Sequence, residues 1–264
     1  AVFSRRARRN SLRGKVKRLK IAIMQPYFFP YLGYFQLVSS ADAFFFYDNL
    51  TCSQKWIAQN RILEVNRSPL AITAPVTGYH LASKICEVKV EFDARWKSRF
   101  LRKLYFNYKN AAFYTEGIAA VEEALALETD SLSELNIHSA SAVARFLGIS
   151  TGITVITAEQ SDQLEKKLER MTLLHEGCEK KVQRILEICA QERADTYINA
   201  RGGIALYDKA VFAQNGVRLL FNVPRPLAYR QLAQHFTPDL SIIDVLMNCG
   251  REGTRALLDR YDLV

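Results

Sequence analysis

The sequence predicts an α/β protein built on a doubly wound, mainly parallel sheet, and three observations carry that prediction. The first is the stretch Lys20-Ile-Ala-Ile-Met-Gln-Pro-Tyr-Phe-Phe-Pro-Tyr-Leu-Gly-Tyr-Phe35. It reads as a short buried strand, a proline-bounded loop and a helix entered through Gly33, and the apolar run Ala43 to Tyr47 follows as a second strand. The second is that further short apolar runs recur near 153–156, 195–199 and 217–221. The third is that helical patterns separate these runs, so consecutive strands need crossover connections and lie parallel.

The remaining elements follow in order. Residues 49–61 show neither period. Leu70–Val76 and Ile85–Phe92 read as strands, the second alternating apolar and charged side chains. Asp93 is placed to cap a helix containing Trp96, Phe100, Leu104 and Tyr108, and two more helices are expected at 112–127 and 131–147, the last stopped by Gly148. These form a helical insert around 93–147 in a single domain spanning 19–264. Leu164, Leu168, Met171, Leu174, Cys178, Val182, Ile185 and Cys189 recur at helical steps, which predicts a long core helix broken near Gly177. Gly202-Gly203 leads a short helix through Tyr207. Thr237-Pro238-Asp239 has the chemistry of a helix start, and Gly250 that of its stop.

Composition bounds the function. Of 36 Lys and Arg residues, nine lie in residues 1–20 with no acid among them, leaving 27 against 27 acidic residues. The net charge of +9 therefore belongs to a basic tail, residues 1–18, expected to be disordered. Such a tail suits weak contact with anionic membrane headgroups, and the neutral body gives no reason to expect nucleic-acid binding. No run is apolar enough to span a membrane, and the expected location is cytoplasmic, membrane-peripheral at most. Five scattered cysteines fit a reducing compartment, and the isolated His80, His138, His175 and His235 form no metal-ligand pattern. The sequence thus calls for no metal and requires no cofactor.

Two resemblances attach to these motifs. The opening unit resembles the Rossmann and nucleotidyltransferase-like type of fold, whose first helix opens with H-x-G-H. Here Tyr31-Leu-Gly-Tyr34 stands in that place, and a phenol does not replace imidazole as a phosphate-contacting cation, so nucleotidyl transfer is not implied. Four segments taken together, Gln25–Pro30, Gln54–Arg61, Tyr229-Arg-Gln231 and Leu240–Asn248 with Gly250, resemble the WbqC-like family over roughly residues 19–255. That resemblance implies a role in bacterial O-antigen and polysaccharide biosynthesis. It also implies transfer of an acyl or aminoacyl (glycyl) group to the amine of a nucleotide-linked amino sugar, the donor being left open.

The candidate catalytic residues are Asp48, to deprotonate the amine, and Lys55, which with Arg61 would hold phosphates or a donor carboxylate. Gln25, Tyr27, Tyr31, Asn60, Tyr197, Asn199, Tyr207, Tyr229, Gln231, Asp244 and Asn248 are the further candidates for binding a polar small molecule. Gln25 and Asp48 are chosen because ligands in such folds bind beyond the carboxyl ends of the strands. Ser241, Asp244 and Asn248 share one side of a helix, whose ordinary reading is a wet face. The absence of a recognised nucleophile keeps open a non-catalytic ligand-binding or accessory protein.

Overall fold

The computed structural model describes residues 18–264 except 53–54, 65–67, 79, 81 and 173–178. The basic tail other than Arg18 lies outside the described residues, as do Gln54, Leu174, His175, Gly177 and Cys178.

In chain order, β1 (Lys20–Met24), α1 (Leu32–Ser40) and β2 (Ala43–Phe46) make the opening unit read from the sequence. Two antiparallel ribbons follow, β3 (Gln59–Leu63) with β4 (Pro69–Thr73), and β5 (Val76–Thr77) with β6 (Lys89–Val90). Helices α2 (Ala94–Tyr108), α3 (Tyr114–Ala124) and α4 (Leu132–Phe146) lead to β7 (Gly152–Val155). Helices α5 (Ala158–Thr172) and α6 (Lys180–Gln191) precede β8 (Thr196–Ala200). The chain closes with α7 (Lys209–Gln214), β9 (Arg218–Pro224), α8 (Ile242–Leu258) and β10 (Tyr261–Leu263).

The central sheet runs β10-β9-β8-β1-β2-β7, parallel throughout except for β10. From β1 the chain winds outward through β2 to β7, then returns to add β8 and β9 on the other side. The reversal falls between β1 and β8, as in Rossmann-like sheets, and nothing in the order is particular to nucleotidyltransferases.

Strand alternation sorts the core into two layers. Ala22, Phe44, Phe46 and Ile198 point to α1 and to Ala140 of α4. Ile21, Phe45, Tyr47, Tyr197 and Leu219 point the other way, to α5, α6 and Phe212 of α7. A third cluster joins Phe28 and Phe29 to the inserted helices and to Ile242, Ile243 and Leu246 of α8. The inserted segment thus shares a core with the loop that follows β1.

Several expectations are corrected. Residues 85–92 are not one strand: Ile85–Glu87 is a 3₁₀ turn, because Glu87 folds back to accept the Lys84 N–H at 3.0 Å, and only Lys89–Val90 is extended. Residues 49–61, which show no period, hold a 3₁₀ turn and the start of β3. The break expected in the helical pattern of 162–190 is present, α5 ending at Thr172 and α6 beginning at Lys180, and Arg184 and Lys180 of α6 grip Glu165 of α5 at 2.7 and 2.9 Å. Residues 201–207 hold a 3₁₀ turn over Arg201–Gly203, and the helix beyond begins only after Asp208 caps it. The Thr237-Pro-Asp start is overridden. Gln231 takes the Thr237 N–H at 2.8 Å and donates to its carbonyl at 2.9 Å, Asp239 adopts φ +56°, and the cap is Ser241. Gly250 interrupts helix α8 rather than ending it, since helical turns resume through Leu258. Ser241 and Asp244 are fully buried, so that side of α8 is not a wet face.

Gly250 holds φ +62°, ψ −171°, a region open to glycine and almost nothing else. A Cβ there would stand 2.5 Å from both the Glu116 carboxylate and the Phe113 ring. Gly250→Ala is expected to cost about 2–4 kcal/mol through backbone strain and overpacking, read as a lowered urea midpoint with an unchanged slope. An unchanged midpoint would mean the kink relaxes freely.

Candidate functional site

The site is built on the loop between β1 and α1. Pro26 and Pro30 bound it, Phe28 and Phe29 plug into the core, and Phe29 holds φ +39°. Phe29 stacks on Phe100 of α2 at 6.0 Å, and Phe28 meets the same ring edge-on. A buried loop must place its carbonyls, and this one does so with side chains from distant segments. The Tyr34 hydroxyl donates to the Gln25 carbonyl at 2.8 Å, and Asn136 Nδ2 to that of Pro26 at 3.1 Å. Asn60 Nδ2 reaches Phe28 and Phe29 at 3.3 and 2.8 Å. The Ser241 hydroxyl shares the Phe29 oxygen at 2.8 Å, while the first N–H of α8 takes Pro30 at 2.9 Å.

Beside this loop a cleft of about 1080 Å³ opens at the carboxyl edge of the sheet, next to the winding reversal. Tyr31 and Gln36 of the α1 region form one wall, Trp56, Asn60 and Arg61 another. Arg201 and Ile204 after β8, Arg225 after β9, and Tyr229 with Phe236 complete it. Three guanidinium groups thus converge on one cavity, and among its described lining residues Asp239 carries the sole carboxylate. Arg225 already shares its charge with Asp262 at 2.6 Å. Arg61 Nε and Gln36 Oε1 are buried and find no hydrogen-bond partner among the described residues, while Arg61 Nη2 lies 3.5 Å from the Asp239 carbonyl.

Burial, reinforced by its neighbour Tyr31, pushes the Tyr27 phenol up to about 12, and burial then Asp239 raise Tyr31. Both hydroxyls stay protonated at neutral pH and act as hydrogen-bond donors as well as acceptors.

Behind the cleft wall, Asp244 at the first turn of α8 is fully buried and forms no ion pair with a described residue. Oδ1 accepts from the Tyr108 hydroxyl at 2.6 Å, while Oδ2 accepts from Tyr229 at 2.7 Å and Gln231 at 3.1 Å. Burial raises its pKa, and the bonds from Tyr108, Tyr229 and Gln231 oppose that rise. Gln231 also closes a ring on Thr237, so one carboxylate fixes the loop that forms the far wall.

The structure brings together Tyr27, Tyr31, Asn60, Arg61 and Tyr229 on the cleft, with Gln231 and Asp244 directly behind. Gln25 sits just outside the lining, its Oε1 3.5 Å from the Tyr27 hydroxyl. Asn248 is half-buried and bonds the Asp244 carbonyl at 2.8 Å. Asp48 stands apart: Ser133 donates to it at 2.5 Å, and its carbonyl takes the Cys86 N–H at 3.2 Å. The backbone of Lys55 opens a 3₁₀ turn, and its side chain is not among the described ones. Tyr197 points into the opposite core layer, stacked on Phe212 at 5.9 Å, and Tyr207 meets the same ring edge-on. Asn199 is buried and holds the Ala200 N–H at 2.7 Å.

Sequence reasoning passed over Arg201, Arg225, Gln36 and Trp56. The two arginines lie just beyond the carboxyl ends of β8 and β9, where the rule that selected Gln25 and Asp48 also applies. No group of three His, Cys, Asp or Glu side chains placed to hold a metal occurs among the described residues, and none of their helices is long and apolar enough to cross a membrane.

A family model described as the WbqC-like protein family matches residues 25–256. An uncharacterized protein of Mycobacterium tuberculosis is 31% identical over 240 residues, covering 88% of this chain and 95% of the relative. No solved structure gives a significant match.

The buried carboxylate has a pH signature. A carboxyl with a raised native pKa binds its proton more tightly folded than unfolded, so it stabilises fully below the unfolded value, about 3.9. That contribution is lost as pH rises through the raised native pKa. Asp244→Ala is expected to remove this downward slope while costing about 3 kcal/mol, because three donors lose their acceptor. Urea midpoints measured across acid to neutral pH for both proteins check it; parallel curves would refute the assignment.

Proposed function

Because the chain belongs to the WbqC-like protein family, we propose that it is a transferase of surface-polysaccharide (O-antigen) biosynthesis. It passes an acyl or aminoacyl group, such as glycyl, to the amine of a nucleotide-linked amino sugar, in the cytoplasm. The observation that supports this reading is the convergence of Arg61, Arg201 and Arg225 on a tyrosine-walled cleft beside the winding reversal. Guanidinium forks match phosphate oxygens, and aromatic rings such as Trp56 offer a face to a base or sugar.

The described lining contains no Ser, Cys, His or Lys side chain. Transfer is direct: the amine nitrogen attacks the donor's acyl carbon, the new C–N bond forms, the bond to the donor's leaving group breaks, and the proton shed by the nitrogen passes to Asp239, the carboxylate of the described lining. Tyr27 and Tyr31, protonated at neutral pH, donate to the carbonyl oxygen as charge develops on it. Asp48 is committed to Ser133 away from the lining, and its part here is to tie the end of β2 to α4. A described lining without a Ser, Cys, His or Lys side chain favours, as a second reading, an accessory protein that binds the ligand without turnover.

Calorimetry with a panel of amino-sugar nucleotides tests the site. Arg61→Ala and Arg201→Ala are each expected to weaken binding about tenfold or more, the loss of one charge-assisted contact, while Asp48→Asn leaves affinity unchanged. Incubation with acyl donors, read by mass spectrometry, separates the readings: an acylated sugar supports the transferase, and tight binding without product supports the accessory protein. No binding anywhere in the panel sinks both.

A further inference from the structure

Helix α2 carries a second functional surface, remote in character from the cleft. Its buried stripe is Phe100, Leu104, Asn107 and Tyr108. On the opposite side, Arg95, Arg99, Arg102, Phe106 and Lys109 recur at steps of four, three, four and three, which sets them in one row along the outermost face. All five are exposed, Phe106 to 56%. Lys103 flanks the row, and the helix contains no acid. Arg95, Arg99, Arg102 and Lys103 form no ion pair with another described residue.

Beside the row lies an apolar patch. Tyr105 is 45% exposed, and with Leu101, Phe106, Tyr114 and Ile118 it surrounds a shallow hollow that Arg102 and Glu122 also line. Among the described aromatic rings Phe106 meets Tyr105, edge-on at 5.6 Å.

We propose that α2 docks this protein on an anionic phospholipid surface. Guanidinium and ammonium groups in a row meet lipid phosphates, while Phe106 and Tyr105 sink to the headgroup level, where aromatic rings are favoured. A second copy of the chain is a poor occupant, because an isologous contact sets arginines against arginines. Single-stranded nucleic acid is bound by aromatics along a groove that tracks the backbone, whereas this row stands on a convex helix face. The surface is distinct from the basic residues 1–17, so the two contributions can be separated.

Co-sedimentation of the full chain with vesicles of equal parts phosphatidylglycerol and phosphatidylcholine tests the proposal, with phosphatidylcholine alone as reference. Binding is expected to the anionic vesicles and to fall with added salt. Reversing Arg95, Arg99 and Arg102 to Glu should lower affinity about a hundredfold, and Phe106→Ala about tenfold. Reversing Lys166, Arg170 and Arg193 makes the same change in net charge elsewhere and should matter far less. Circular dichroism verifies that each variant is folded; these side chains are exposed. Deleting residues 1–17 should leave a binding that still depends on the α2 arginines. The proposal is overturned if the α2 variants bind like the parent, if the control reversal is equally damaging, or if deletion abolishes binding outright. It is also overturned if the chain ignores vesicles and instead binds a random oligonucleotide through these arginines.

Discussion

Everything at the carboxyl edge of the sheet depends on where the loop from Gln25 to Pro30 sends its carbonyl groups. The loop is buried, two prolines remove N–H donors from it, and Phe29 is held at positive φ. Left alone, each buried carbonyl without a partner costs about 1–3 kcal/mol. Tyr34, Asn136, Asn60, Ser241 and the first turn of α8 supply the missing donors. These donors come from α1, α4, β3 and α8, so a single loop fixes four elements relative to β1. In return the loop drives two phenylalanines into the core shared by α2 and α8, and that packing offsets the strained backbone at Phe29.

Asp244 repeats the device one layer further out. A carboxylate buried without an ion pair is costly, and it persists here because three donors and the first turn of a helix face it. The result is a wall of irregular chain, residues 225–240, that needs no secondary structure to hold its shape. Tyr108 takes part from the opposite direction, also accepting the Leu63 N–H at 3.0 Å, and so links that wall to β3. The cleft is thus framed on two sides by polar staples rather than by apolar packing.

The strands of the sheet were legible because buried parallel strands are short apolar runs, and the helices because Asp93 and Ser131 cap them with their own side chains. Strand β10 escaped notice: Tyr261-Asp-Leu263 is three residues on an edge, paired on one side only. The early helix start at Thr237 failed because Gln231, six residues away, captures both backbone groups of the threonine. Reading Ser241, Asp244 and Asn248 as a wet stripe failed for a related reason. Polarity on a helix signals solvent only when no other polar group covers it, and Tyr108 lies 136 positions away in sequence. At the site, Tyr27, Tyr31, Asn60, Arg61 and Tyr229 were visible as dense polar motifs. Arg201 and Arg225 were not, since a lone arginine after a strand looks like any surface cation.

That difference separates frame from ligand contact. Asn60, Gln231, Ser241 and Asp244 belong to the segments that carry the family resemblance, and each spends its side chain on the protein itself. The further cations, Arg201 and Arg225, follow β8 and β9; Arg225 opens the stapled wall but pairs with Asp262 rather than with the staples. A frame fixed by internal hydrogen bonds can keep its shape while the turns after β8 and β9 change their side chains. The family resemblance therefore speaks to the shape of the cleft more than to its chemistry, as expected when one fold hosts several activities. Arg61 belongs to both sets: its carbonyl takes the Ser241 N–H at 2.8 Å, while its side chain lines the cavity together with Arg201 and Arg225.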